Sequence, residues 1–290
     1  MHLTLLGAVL WDVFDDRKLI GGAPFNVAAH ATKLGIDATF ISAVGDDELG
    51  REALEETKKL GLDTGHIRVA AGKPTGTVRV FLDNGQPDYD IHRPAAYDYP
   101  EVSDADLQEL AARKPEWLYF GTLELMSPTV MTVLDRLLDA MPDAKRFYDV
   151  NLRKESYTSE LIERLLGATT VLKINDDEAK SFSDMFDIDA EGEQNVCRAL
   201  AARFSIETIC ITRGENGCAI WHGGHFVESP GIAVSVADAV GAGDAFCAAL
   251  IHGLTMDWDL DKVVAFANRL GALVASRRGA VPEWTLDDLK

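Results

Sequence analysis

Asp238-Ala239-Val240-Gly241-Ala242-Gly243-Asp244-Ala245-Phe246 brackets a small residue with two glycines and sets a carboxylate at the head of an apolar run. Gly241 and Gly243 free the backbone for tight or left-handed turns. Successive N–H groups, those of Gly241, Ala242 and Gly243, can then converge on one anionic oxygen, and the dipole of the following helix adds to the attraction. That chemistry is phosphate binding. A carboxylate beside a phosphate is repulsive unless it serves another partner, and Asp244 is suited to take the proton from a hydroxyl that attacks phosphorus. The same residues also fit a glycine-rich turn capped by an aspartate, the commoner use of short Gly/Asp clusters.

Other polar groups could serve a ligand. Asp12 follows the first expected strand, and the turn at Gly21-Gly22 leads to Asn26 at a helix start, so a carboxylate and an amide could each grip hydroxyls. Taken alone, Asn26 suits a helix cap and Asp12 a solvated loop carboxylate. Asn175 and Glu178 lie three apart at another helix start and share a face, which suits a hydrated Mg²⁺ as well as a dipole-favoured acidic first turn. Arg153 stands just past a strand end, where open α/β sheets bind ligands; it also suits a surface position. His222-Gly223-Gly224-His225, between Ile220-Trp221 and Phe226-Val227, reads as a hairpin turn rather than a metal clamp. No P-loop motif and no protein-kinase His-Arg-Asp or Asp-Phe-Gly motif occurs.

The elements that must position these groups alternate between apolar strands and helical patterns, which predicts an α/β fold with a mostly parallel sheet covered on both faces. Strands are expected at Leu3–Leu10, Ala38–Val44, Trp117–Gly121, Arg146–Val150, Thr170–Ile174 and Thr208–Thr212. Helices are expected at Phe25–Leu34, Asp47–Leu60, Ser127–Met141, Ser159–Leu166, Asp176–Met185, Gly192–Phe204, Ala242–Leu254 and Asp261–Arg277. One part breaks the rhythm: Thr75 to His92 alternates, turns at Asn84-Gly85 and alternates again, and Val13 to Leu19 is too polar for a core strand. Together they fit either a small β-sheet lid or an ordinary surface hairpin.

The 290 residues are 47% hydrophobic, enough for one large core, and a single domain over 1–290 is expected. With 47 acidic against 28 basic residues the formal charge is -19, which opposes non-specific binding to nucleic acid or an anionic membrane, so any anionic ligand must be held locally. Cys197, Cys210, Cys218 and Cys247 form no C-x-x-C pair, and neither a leader nor a spanning segment is seen, so a soluble protein of the reducing cytoplasm is expected.

Gly21-Gly22-Ala23-Pro24-Phe25-Asn26-Val27-Ala28, Val44-Gly45-Asp46-Asp47-Glu48-Leu49-Gly50 and the run from Asp238 to Phe246 resemble the two signature regions of the PfkB (ribokinase-like) family of carbohydrate kinases, with bacterial fructokinases the nearest likeness within it. Tyr119-Phe120-Gly121-Thr122-Leu123, Asp149-Val150-Asn151-Leu152-Arg153, Leu172-Lys173-Ile174-Asn175-Asp176-Asp177-Glu178 and Ile211-Thr212-Arg213-Gly214 extend the likeness, in order, over essentially the whole chain. The resemblance implies a ribokinase-like, Rossmann-type αβα sandwich with a small β lid, and transfer of the γ-phosphoryl of ATP to a sugar hydroxyl with Mg²⁺. It gives Asp244 the role of base and Gly241, Ala242 and Gly243 that of phosphoryl cradle. It assigns Asp12, Gly22, Asn26 and Arg153 to the sugar, Thr212, Gly214 and Asn268 to the nucleotide, and Asn175 and Glu178 to Mg²⁺ through water. Asp238 and Val240 are the implied monovalent-cation (K⁺) residues, and a homodimer through the lid is compatible with it.

The chain departs from fructokinases at Glu124-Leu125-Met126, where they carry a more polar, arginine-bearing stretch, and this weakens the step to fructose itself. Kinases for another sugar, for a sugar acid of the 2-keto-3-deoxygluconate type or for a nucleoside are the alternatives. A catalytically silent sugar- or nucleotide-binding sensor is the alternative of a different class, although a binder would not need a base at Asp244.

Overall fold

The computed structural model describes residues 1–83, 86–153 and 156–289, without the side chains of 80–83 and 86–89. The expected turn at Asn84-Gly85 lies outside the described residues. One sheet contains β1 (His2–Leu6), β4 (Asp37–Gly45), β5 (Ile67–Ala70), β8 (Trp117–Phe120), β9 (Lys145–Asp149), β10 (Val171–Asn175), β11 (Thr208–Thr212), β12 (Cys218–His222) and β13 (His225–Ser229). A second contains β2 (Leu10–Val13), β3 (Lys18–Gly21), β6 (Gly76–Asp83) and β7 (Gln86–Ile91). The helices are α1 (Ala23–Lys33), α2 (Glu48–Lys59), α3 (Asp104–Ala112), α4 (Pro128–Ala140), α5 (Ser159–Gly167), α6 (Asp176–Met185), α7 (Glu193–Phe204), α8 (Ala242–Thr255) and α9 (Leu260–Ala275).

The large sheet runs β13-β12-β11-β10-β9-β8-β1-β4-β5. Its strands from β5 to β11 are parallel, and the antiparallel β12–β13 hairpin closes one edge. Every residue of β1 and β8 is buried, as parallel strands covered on both faces require. One face packs on α1, α2, α8 and α9 and the other on α3 to α7, so the sandwich has the αβα layering expected. The chain enters at β1 in mid-sheet, builds outward to β4 and β5, then returns to β8 on the other side. The reversal between β1 and β8 is the kind of switch point at whose strand ends α/β proteins bind ligands.

The expected strand Leu3–Leu10 is in fact two. β1 stops at Leu6, and β2 begins at Leu10 in the other sheet, where it pairs with β3 and β6. Gly7 marks the departure, because a Cβ there would stand 2.2 Å from Pro24 Cγ. The segment expected as one polar piece, Val13 to Leu19, is likewise the bend between two antiparallel strands. The turn expected at His222–His225 does join β12 to β13, with Gly223 and Gly224 at φ 55 and 93. All four cysteines are buried and free.

Candidate active site

Gly241 is the N-cap of α8, in the left-handed region at φ 81, and a Cβ on it would stand 2.3 Å from the Ala280 carbonyl oxygen. Only glycine fits there. The turn aims the first N–H groups of α8 out of the helix, where they lack intrahelical partners; the Ala242 amide leans back toward Ala239 O at 3.4 Å. Ala280 is itself fixed from α1, since buried His30 donates from Nε2 to its carbonyl at 2.9 Å while His30 Nδ1 accepts the Trp284 indole N–H at 3.1 Å.

Asp244, in the first turn of α8, accepts a hydrogen bond from Asn26 Nδ2 at 2.7 Å across 218 residues of chain. Gly22 starts α1 at φ 113, where a Cβ would collide with Ala8 O at 2.2 Å, and this close approach seats Asn26 one turn into the helix. Asn26 Oδ1 is buried without a hydrogen-bond partner, and Asn26 is one of the residues lining a cavity of about 360 Å³. Gly22, Asp12, Arg153, Asp238, Val240, Gly241, Gly243 and Asp244 line it too, so these residues are brought together, whereas Ala242 of the expected cradle does not line it.

Burial raises Asp244 to about 7; the Asn26 hydrogen bond and the charges of Lys173 and Arg153 oppose the rise, and Asp149 adds to it. A carboxyl poised near neutrality is the condition for general-base work. If Asp244 is the base, kcat/KM for the acceptor should climb with pH and level off above an apparent pKa of about 7, because only the ionised form accepts a proton. A profile flat through the neutral range would contradict the assignment.

Lys173, Asp149 and Tyr119 also line this cavity and are not among the residues expected to bind or react. Lys173 Nζ pairs with Asp149 Oδ1 at 3.0 Å, and Tyr119 donates its hydroxyl to Asp149 Oδ2 at 2.9 Å. Lys173 Nζ also lies 3.7 Å from where a Cβ on Gly243 would be, so a buried cation borders the cradle. The available signal was a lysine inside the otherwise apolar strand Val171–Ile174.

Asp12 projects from β2, so close to Gly21 that a Cβ there would stand 2.6 Å from Asp12 Oδ2. Burial raises Asp12 to about 6, against the pull of Arg153 and with a further push from Asp238. Leu10, Val78 and Ile91 of the small sheet also line the cavity.

The remaining candidates sit elsewhere. Asn175 and Glu178 form a reciprocal capping box, each accepting the other's backbone N–H at 2.8 Å, and the second Glu178 oxygen accepts the Leu152 amide at 2.8 Å. Neither lines the cavity, nor do Thr212, Gly214 or Asn268. Thr212 leans on Ile174 O at 3.4 Å, Gly214 has open space around it, and Asn268 donates to Pro230 O at 2.7 Å, tying α9 to the end of β13. Asp238 accepts the amides of Val240 at 3.1 Å and Gly279 at 3.2 Å, so its carboxylate clasps the loop leading to the cradle. Among the described residues no group of three or more His, Cys, Asp or Glu is placed to hold a metal, and no helix is long and apolar enough to cross a membrane.

The profile of the pfkB family carbohydrate kinases matches residues 7–286. A fructokinase of Escherichia coli is 29% identical over 96% of this chain and 94% of its own length. A putative sugar kinase of Pyrococcus horikoshii is 31% identical over 93% of this chain and 85% of its own. A crystal structure of an uncharacterized sugar kinase from Pyrococcus horikoshii superposes with a TM-score of 0.84 at 27% identity, over 100% of this chain and 96% of that one, and a further structure of it is a complex with ATP. A 2-dehydro-3-deoxygluconokinase of Thermotoga maritima shares the fold, with a TM-score of 0.85 at 20% identity over 100% of this chain and 98% of that one.

Proposed function

This chain belongs to the pfkB family of carbohydrate kinases, and on that premise we propose that its cavity transfers the γ-phosphoryl of ATP to a sugar hydroxyl, with fructose the leading acceptor. The observation that carries the reading is the 2.7 Å hydrogen bond from Asn26 to Asp244 beside the N-terminus of α8. It sets a hydroxyl-binding amide, a base and an anion-binding helix end within one cavity.

The acceptor hydroxyl donates its proton to Asp244 while Asn26 and Asp12 hold its neighbours. Amides of the Gly241–Gly243 turn meet the charge that spreads over the transferred group, the main demand of phosphoryl transfer. When bound, magnesium would neutralise charge on the nucleotide phosphates. Asn175 Oδ1 and both Glu178 oxygens already accept backbone N–H groups, so these side chains suit the water shell of that ion rather than direct coordination. Thr212, Gly214 and Asn268 are assigned to the nucleotide side, outside the cavity that receives the acceptor. Leu10, Val78, Ile91 and Leu123 give that cavity aliphatic walls, and the hydroxyl of Tyr119 is tied to Asp149.

The small sheet is assigned as a lid, since it carries Asp12 and part of the cavity wall. Asp12→Ala should raise the sugar KM far more than the ATP KM, because the hydroxyl it held is left unpaired. Saturating sugar should also slow amide exchange in Gly76–Asp83 and Gln86–Ile91 as the sheet closes. Equal rises in both Michaelis constants, with exchange unaltered by sugar, would remove Asp12 from the sugar and the lid from the mechanism. The function itself is tested by ATP consumption with magnesium in the presence and absence of free sugars: sugar-dependent consumption is expected, and sugar-independent or absent consumption would refute it.

A further inference from the structure

Glu124 opens the short 3-10 turn Glu124–Met126 after β8 and is 4% exposed, yet it lines the acceptor cavity. Its Oε1 accepts the Ala8 amide at 2.9 Å, and its Oε2 lies on the side of Gly121, 3.6 Å from where a Cβ on that glycine would stand. Arg93, the cation whose charge reaches it, is already paired with Asp98 and donates to Leu123 O. Burial therefore raises the Glu124 carboxyl above its ordinary range, although its own amide and that of Ala8 pull the other way.

The charges around the cavity are unequal. Among the described residues its lining carries the acids Asp12, Glu124, Asp149, Asp238 and Asp244 against Arg153 and Lys173, and Lys173 is matched by Asp149. An incoming phosphoryl group is met at one end by the cradle and the α8 dipole. An acceptor carrying its own carboxylate would find no comparable provision, because its charge would face Asp12, Glu124 and Asp238 with Arg153 alone in compensation, in a desolvated space where like charges repel strongly. A neutral hydroxyl suits Glu124 in either state, as donor to the carboxylate or as acceptor from the carboxylic acid.

We infer that Glu124 is a specificity-determining residue that grips a hydroxyl of a neutral polyhydroxy acceptor and turns away sugar acids. This rests on the sugar-kinase reading, and names the acceptor class within it. The test measures kcat/KM with ATP and magnesium for neutral ketoses, aldoses and polyols and for aldonic and 2-keto-3-deoxyaldonic acids, in the wild-type protein and in Glu124→Gln. Glutamine keeps an oxygen for the Ala8 amide. The wild-type protein should prefer its best neutral acceptor to its best acid by about 10²-fold or more, on the scale by which sites lined with polar groups reject misfitting ligands. Glu124→Gln should raise the neutral KM about tenfold, the loss of one charge-assisted hydrogen bond, narrow the neutral-to-acid ratio by at least as much, and leave the ATP KM unchanged.

An acid as the best wild-type acceptor, or a ratio unmoved in a folded Glu124→Gln protein, would overturn the inference while leaving the kinase intact. Turnover with no sugar of either kind would instead refute the kinase reading. Calorimetric binding of the same compounds to the wild-type protein reads the preference without turnover and without the variant, and tighter binding of acids than of neutral compounds would overturn it.

Discussion

Asp244→Asn should fold, bind sugar and lose about 10²-fold or more in kcat, in line with removal of a general base, which corresponds to roughly 3 kcal/mol of barrier. Asparagine retains an oxygen that can accept the Asn26 amide, whose bond to Asp244 is 2.7 Å long, so the link between α1 and α8 survives the change. What disappears is the site for the proton. Steady-state kcat and calorimetric sugar affinity separate the two effects, and a near-normal kcat in the variant would take Asp244 out of the chemistry.

Gly241→Ala is the second large effect expected. Its φ of 81 is strained for alanine, and the new Cβ would stand 2.3 Å from Ala280 O, backbone that His30 holds in place. Strain of this kind costs about 1–3 kcal/mol, and here it displaces the turn that aims the cradle amides. We expect a lowered Tm and a kcat reduced by about tenfold or more, with sugar affinity largely kept, as loss of transition-state contacts implies. Gly243→Ala is the control. Its Cβ would meet only Lys173 Nζ at 3.7 Å, ordinary contact, so its stability should change little and any rate loss reads crowding at the transferred group. Equal Tm losses in the two variants would show that the left-handed turn at Gly241 is not the constraint.

These two glycines illustrate what the chain discloses locally. Their bracketing of Ala242 and the apolar run after Asp244 announce an anion site at a helix start, because turn chemistry and helix polarity are properties of neighbours in sequence. Which glycine is constrained depends on Ala280, almost forty residues on, and no local pattern carries that. Asn26 and Asp12 emerged as candidates from their places in turns, whereas the bond of Asn26 to Asp244 spans 218 residues. Lys173 and Asp149 stood within quoted motifs but were missed as a pair, since a buried ion pair between adjacent parallel strands leaves no periodic trace. The apolar run Leu3–Leu10 hid a change of sheet for a related reason: hydrophobicity marks burial, and both sheets bury that stretch. Asn175 and Glu178, expected to face a hydrated Mg²⁺ or to form an acidic first turn, also make a capping box, a further use that the same spacing allows.

Phosphorus NMR of a mixture of the protein, ATP, magnesium and fructose or another neutral sugar observes the transfer itself. A new phosphomonoester resonance should grow in step with ADP, depend on the sugar, and be suppressed by about 10²-fold or more in Asp244→Asn. Growth of inorganic phosphate without a sugar phosphate, or a sugar phosphate formed equally fast by the variant, would contradict transfer to a hydroxyl activated by Asp244.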